Sequence, residues 1–199
     1  TGLQHIRVRI TLKIMFLKFN RHHKLPAALP KFEQKLVDTR GYSFILRRAT
    51  VEDIDSLVHI EEAVYAGKAP WLLRDFLSEL SRPRLRLYLV IQRNDQVIGF
   101  AGAAYNREKQ DIHITNIAIV PIWQKNGLGT LMIEELAAFS RAVGVTTMSL
   151  EARASNHGAM ALYQRLGFLK TNVKKGYYFG DHEDAITMVN HFEHKISDN

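Results

Sequence analysis

The sequence predicts an α/β fold: one layered domain with a mixed, mostly antiparallel central sheet flanked by helices. Two observations carry this. Strand-like and helix-like patterns alternate from residue 42 onward, in the order β-α-α-β-β-β-α-β-α-β-β. Asn94–Asp95 separates two apolar runs, 85–92 and 96–106, which marks a hairpin and so an antiparallel pair.

The elements follow in order. "YSFILRRA" (42–49) reads as a strand. Thr50 with Asp53 has the spacing of a capping box, and the helix it opens carries Ile54, Leu57, Val58, Glu61 and Val64 on one face. Pro70 and Trp71 begin a second short helix that ends near Leu80. After the hairpin, "DIHITNIAIV" (111–120) is a further strand. Residues 127–143 place Leu128, Leu131, Met132, Leu136, Phe139 and Val143 along a helical stripe that stops at Gly144. "VTTMSLEA" (145–152) is a strand, 156–166 a helix, and "GFLKTNVK" and "EDAITMVN" are closing strands.

The chain of 199 residues holds one domain, at 41–192, with a C-terminal tail at 193–199 and an N-terminal extension at 1–40. The whole net charge of +7 sits in that extension: residues 1–40 have nine Lys/Arg against Glu33 and Asp38, and the rest is neutral. Two readings stay open for it: an arm that meets nucleic acid, the ribosome or acidic lipid, or a solvated or upstream-derived tail. "HIRVRITLKI" (5–14) alternates like a strand that could pair with a sheet edge. The 46% hydrophobic content is ordinary for a globular domain, and no apolar run reaches the roughly 18 residues of a membrane span. The absence of cysteine excludes disulfides, thiolate metal sites and a cysteine nucleophile, and suits the cytoplasm. The nine histidines form no ligand set, so no metal is expected.

Two stretches carry chemistry. In "QKNGLG" (124–129), Gly127 and Gly129 stand where a strand gives way to a helix whose first amides have no partner. Bare glycines, the helix dipole and Lys125 favour a phosphate or pyrophosphate there, although the same glycines also suit a plain tight turn. In "LEARASNHGAMALYQRLGF" (150–168), Glu151 ends a strand, while Asn156 and Tyr163 share a helical face two turns apart. A carboxylate and a phenol converging on one cleft supply a base and an acid. Each also has a plain structural use, as a rim carboxylate or a core tyrosine.

"QKNGLG" resembles the pyrophosphate motif of the GNAT N-acetyltransferases. With "LEARASNHGAMALYQRLGF" and "KKGYYFGDHEDAITM" it resembles the branch that acetylates the N-terminal alanine of a small-subunit ribosomal protein. The likeness spans about residues 42–190 and is tight over 115–188. It implies the GNAT fold, acetyl-CoA as donor and a protein N-terminus as acceptor. It implies that Ile117, Ala118 and Ile119 line the pantetheine arm and that Lys125, Asn126, Gly127, Leu128, Gly129 and Thr130 hold the pyrophosphate. Asn156 would bond the cofactor, Glu151 would act as general base and Tyr163 as general acid. Pro70, Trp71, Tyr177 and Tyr178 would contact the acceptor, with His182–Ala185 beside them, and Glu61 could face it too. Two departures stand out: Lys125 and Asn126 replace a frequent pair of arginines, and Gly176 replaces an asparagine before the tyrosines. Two other functions remain: acetylation of a small amine such as a polyamine, amino sugar or drug, and a non-catalytic acetyl-CoA-binding or ribosome-associated module.

Overall fold

The computed structural model describes residues 24–66 and 69–192. The alternation at 5–14 and the tail at 193–199 lie outside the described residues. The strands are β1 (Lys35–Thr39), β2 (Tyr42–Arg48), β3 (Arg86–Arg93), β4 (Gln96–Asn106), β5 (Asp111–Ile119), β6 (Thr147–Arg153), β7 (Leu169–Lys174) and β8 (Ala185–His191). The helices are α1 (Ile54–Val64), α2 (Leu73–Leu80), α3 (Leu128–Val143) and α4 (His157–Arg165). One eight-stranded sheet runs β1-β2-β3-β4-β5-β6-β8-β7. Every pairing is antiparallel except β5 with β6. That exception follows from α3, a 16-residue crossover that brings the chain back to the same end of the sheet.

β3 lies in the interior of the sheet, and Leu87–Ile91 is buried on both faces, which explains its unbroken apolar run. One face packs under α1 and α2 around Leu57, Ile60, Phe76, Tyr88 and Phe100. The other packs under α3 and α4 around Leu89, Ile114, Met132, Leu136 and Phe168. The capping box at Thr50 forms, its backbone N–H donating to Asp53 Oδ2 at 2.8 Å. It opens a short 3-10 turn, Val51–Asp53, ahead of α1. α2 starts at Leu73, two residues after Trp71, and its first turn is held by Asp75 Oδ2 accepting from Leu72 N at 2.8 Å.

Residues 24–40, which composition sets apart as part of an extension, contribute a strand and core side chains. β1 pairs with β2 in a hairpin turned by Arg40–Gly41. Leu29, Phe32 and Val37 join the core, and Phe32 packs on Phe139 of α3 with ring centroids 6.0 Å apart. Charge composition reports the surface of such a segment, whereas its few apolar residues decide whether it docks.

The sheet opens at the site. β5 and β6 pair only from Asp111↔Thr147 to Ile114↔Leu150. Beyond Ile114 the strands diverge, leaving a wedge whose walls are Thr115–Ile119 on one side and Glu151–Arg153 on the other. A bulge marks the departure: the β4–β5 register shifts at Gly102/Ala103, so Thr115 is the extra residue and Asn116 turns to the α1 face. A Cβ on Gly102 would overlap the Tyr88 ring and Asn116 Oδ1, so only glycine lets those two side chains meet.

Candidate active site

The donor side of the wedge is built from backbone. Val120 N donates to Ile98 O at 3.0 Å, so by strand alternation the amides of Ala118 and Val120 face β4. Those of Ile117 and Ile119 then face the wedge, where an extended chain can pair with them. The Ile119 carbonyl already accepts from Gln124 Nε2 at 2.9 Å, which ties the strand end to the following loop. Gly127, at φ +82°, turns the chain into α3. The first intrahelical bond runs from Leu131 N to Gly127 O at 3.0 Å, so the N–H groups of Leu128, Gly129 and Thr130 have no helical acceptor. No side chain caps them. A Cβ at Gly129 would come no nearer than 3.7 Å to Leu162 Cδ2, so the protein itself does not require glycine there. Bare amides, a long helix and an exposed Lys125 suit an anion. Asn126 donates its amide to the carbonyls of Trp123 and Gln124 at 3.3 and 3.2 Å, thereby shaping the loop. Thr39 Oγ1 of β1 donates to the Asn126 carbonyl at 3.1 Å, so the N-terminal hairpin braces the same loop.

The acceptor side is built from side chains. Strand alternation places Asp111 and His113 of β5 and Thr147, Ser149 and Glu151 of β6 on one face. They form a chain of bonds. Thr147 and Ser149 donate to the two Asp111 oxygens at 2.6 Å each, and His113 Nδ1 lies 2.9 Å from Ser149 Oγ. His113 Nε2 lies 3.0 Å from Glu151 Oε2, and Lys174 Nζ of β7 donates to Glu151 Oε1 at 2.7 Å. The Glu151 side chain is only 10% exposed. Its bond to His113 is the largest influence on its acidity; with Lys174 it outweighs burial and pulls the carboxyl down to about 2.

Tyr163 lies on α4, across the sheet from this network, 8% exposed and packed on Phe168 with ring centroids 5.8 Å apart. Burial, helped by the nearby Tyr65, pushes its hydroxyl up to about 12, so it holds its proton at neutral pH. Asn156 Oδ1 accepts from Ala159 N at 3.0 Å and caps α4, leaving only its amide for a ligand.

The β7–β8 connection closes the cleft. Tyr177 and Tyr178 pack edge to face at 5.3 Å. Lys174 lies 4.9 Å from the first ring and Arg153 lies 4.1 Å from the second. Glu183 accepts from Ser155 N and Arg153, and Asp184 from Gly176 N and Lys175, so the acids of this loop are spent on its shape. Trp71 packs on Phe76 at 5.5 Å and Pro70 stays exposed; both line a hollow with Arg74, Asp75, Ser78 and Glu79 of α2.

Sequence reasoning placed Glu61 on the apolar face of α1, and the structure buries it to 2%. Its Oε2 and the Nδ2 of Asn116 both lack a hydrogen-bond partner. Burial raises the Glu61 carboxyl to about 7, with Asn116 pulling weakly the other way. The Asn116 amide is the donor that acts on this carboxyl, so the two groups lie a small side-chain adjustment from pairing with each other across the α1–β5 packing. Asn116, His113 and Lys174 were not singled out from the sequence. Alternation along 111–115 and 147–151 gives a signal for His113. Asn116 reaches its place only through the bulge.

The chain is similar to known acetyltransferases. The model of the acetyltransferase (GNAT) family matches residues 51–168. A Bacillus subtilis protein described as a putative ribosomal protein bS18-alanine N-acetyltransferase is 32% identical over 143 residues, covering 72% of this chain and 92% of that one. The Escherichia coli K12 ribosomal protein bS18-alanine N-acetyltransferase is 34% identical over 139 residues, covering 69% and 90%. The crystal structure of the Escherichia coli ribosomal-protein-S18-alanine N-acetyltransferase superposes with a TM-score of 0.69 at 29% identity, covering 78% of this chain and 98% of that one. A wedge lined by free strand amides, leading to an uncapped helix, fits acetyl-CoA. This chain belongs to the GNAT family and is an acetyl-CoA-dependent N-acetyltransferase.

Proposed function

We propose that the chain acetylates the N-terminal alanine of a small-subunit ribosomal protein, by direct transfer in a ternary complex. The observation that carries the acceptor class is the likeness to enzymes named for that reaction, which extends over 90% or more of their length. The paired rings of Tyr177 and Tyr178, stacked with Lys174 and Arg153 beside Glu151, are compatible with a peptide. The cysteine-free sequence leaves no thiol for an acyl-enzyme.

Bound acetyl-CoA supplies an activated acetyl thioester. In this reading Ile117 and Ile119 align the pantetheine arm through their amides, and Leu128, Gly129 and Thr130 hold the pyrophosphate. Lys125, Asn126 and Gly127 shape and charge that loop, Ala118 packs beneath the strand, and the Asn156 amide completes the cradle. An inward N–H of β5 meets the charge that develops on the acetyl oxygen. Tyr163 donates the proton that the departing sulfur needs. The resemblance gives Glu151 the role of base. Its bonds to His113 and Lys174 hold it ionised, so it takes the proton of the ammonium as the carboxylate, directly or through a water.

Release of free coenzyme A tests the reading, with three acceptors: peptides starting with Ala, the same peptides blocked at the N-terminus, and a panel of small amines. Turnover confined to the free Ala N-terminus is expected. Turnover confined to small amines would replace the acceptor, and no turnover with any amine would leave a binding module.

A further inference from the structure

Glu151 carries a cation of the protein's own. Lys174 Nζ donates to its Oε1 at 2.7 Å, while His113 Nε2 lies 3.0 Å from Oε2. Lys174 pairs with Ala185 on β8, whereas Glu151 pairs with Thr187, so the lysine side chain crosses β8 diagonally to reach the carboxylate. This reach adds little to stability: the Lys174 side chain is 41% exposed, and an ion pair open to water is weak. The same ammonium lies 4.9 Å from the Tyr177 ring, so two partners hold it at the acceptor side of the wedge.

We propose that Lys174 is the charge that keeps the acceptor amine neutral at Glu151. The proposal rests on the acetyltransferase reading above, with Glu151 as base. The nitrogen that hands its proton to Glu151 comes within hydrogen-bond reach of a carboxylate oxygen, or one water beyond it. It therefore stands close to Lys174 Nζ. An acceptor ammonium there is one of two like charges sharing a carboxylate, and a like charge favours the neutral amine. A bare carboxylate would do the reverse: it would bind the ammonium and hold its proton. With Lys174 in place, the proton moves from the acceptor nitrogen to a Glu151 oxygen and on to water. The electron pair left on nitrogen forms the bond to the acetyl carbon, and the carbon–sulfur bond breaks. The nitrogen sheds its second proton as the amide forms, which balances the one that Tyr163 gives to sulfur.

The surroundings leave this role to Lys174. Glu151 is faced by His113 of β5, Lys174 of β7, Thr187 of β8 and Tyr178 of the β7–β8 connection. Arg153 of β6 is committed to Asp181 and Glu183. Tyr65 of α1 adds no charge, because burial pushes its phenol up. Asp111 accepts from Thr147 and Ser149, and Asp184 from Lys175 and Gly176 N. These acids are spent on other partners, and Glu151 is the carboxylate that holds Lys174. That bond raises the lysine above its ordinary value and so keeps it charged.

The test compares the full-length chain with Lys174→Arg, which keeps the charge, and with Lys174→Met and Lys174→Gln, which remove it. The readout is the single-turnover rate against pH at saturating acetyl-CoA and acceptor, using whichever amine the wild type acetylates. Its acidic limb reports the proton of the bound acceptor and is free of product release. In both neutral variants that limb should move up by about one pH unit, and KM for the acceptor on the acid side should fall severalfold. Lys174→Arg should keep the wild-type limb. A second measurement needs no turnover: the 15N signal of a labelled acceptor amine is titrated in its complex with the chain and free coenzyme A. Its midpoint should lie about one unit higher in Lys174→Met than in the wild type. A merely structural lysine would change the melting temperature or the rate and leave both midpoints in place. Unmoved midpoints overturn the proposal, and so does a limb that shifts equally in Lys174→Arg. Turnover of small amines alone defeats the peptide reading, and the same limb on those amines still decides this one. No turnover with any amine removes both.

Discussion

His113 Nε2 lies 3.0 Å from Glu151 Oε2, reaching from a paired position of β5 to the first residue of β6 beyond the last β5–β6 pair. The imidazole and the Lys174 ammonium hold this carboxyl ionised, so replacing His113 by Phe should let it rise from about 2 toward 4.5. A carboxyl depressed in the folded state stabilises above its unfolded pKa, and that stability is lost as pH falls through the folded value. The wild type should therefore lose this contribution between about pH 4.5 and pH 2, and His113→Phe should lose it at higher pH. Acid titration followed by circular dichroism checks this; coincident acid midpoints would remove His113 as the clamp.

Glu61 should act on stability in the opposite sense. Its carboxyl is raised in the folded state, so the folded chain binds the extra proton and stability falls as pH rises from about 4.5 to about 7. The cost above pH 7 is on the order of 3 kcal/mol. Glu61→Gln cannot ionise, so its stability relative to wild type should grow across that window and level off above it. Denaturant melts at pH 5, 6, 7 and 8 measure the difference, and a constant difference would mean that Glu61 titrates normally.

Gly127 and Gly129 should respond differently to a side chain. At Gly127 the backbone has φ +82° and a Cβ would lie 2.8 Å from Thr39 Oγ1, so Gly127→Ala should cost about 1–2 kcal/mol and weaken acetyl-CoA binding as well. At Gly129 the nearest atom to a Cβ is 3.7 Å away, so Gly129→Val should fold normally while losing acetyl-CoA affinity by tenfold or more. Paired thermal melts and calorimetry separate the two, and unchanged affinity in Gly129→Val would move the pyrophosphate elsewhere.

Tyr163→Phe should lower kcat by about 100-fold with acetyl-CoA affinity unchanged. The hydroxyl makes no hydrogen bond to the described residues, so the melting temperature should hold or rise slightly. Turnover near the wild-type rate would leave Tyr163 as a packing residue beside Phe168.

Thr39→Val removes the brace between β1 and the Asn126 carbonyl while keeping the side chain's volume. The expected result is a rise in KM for acetyl-CoA of severalfold with kcat little changed, at a stability cost of about 1 kcal/mol. An unchanged KM would show that the loop holds its shape without the N-terminal hairpin.

What the sequence determined by itself is local. Capping at Thr50, the helical stripe from Leu128 to Val143, the turn at Asn94–Asp95 and the glycines of 124–129 each act within a few residues, so their structures follow from near neighbours. The motif carried the family for the same reason. Tertiary structure decided what depends on distant partners. Apolar side chains docked residues 24–40 despite their charge, because Leu29 and Phe32 found a core that composition does not reveal. The two carboxylates diverged for a similar reason. Glu151 met His113 and Lys174 from other strands, while Glu61 was buried against an amide that a single extra residue, Thr115, had turned toward it. Acidity follows what surrounds a group in space, and neither neighbourhood can be read from adjacent residues.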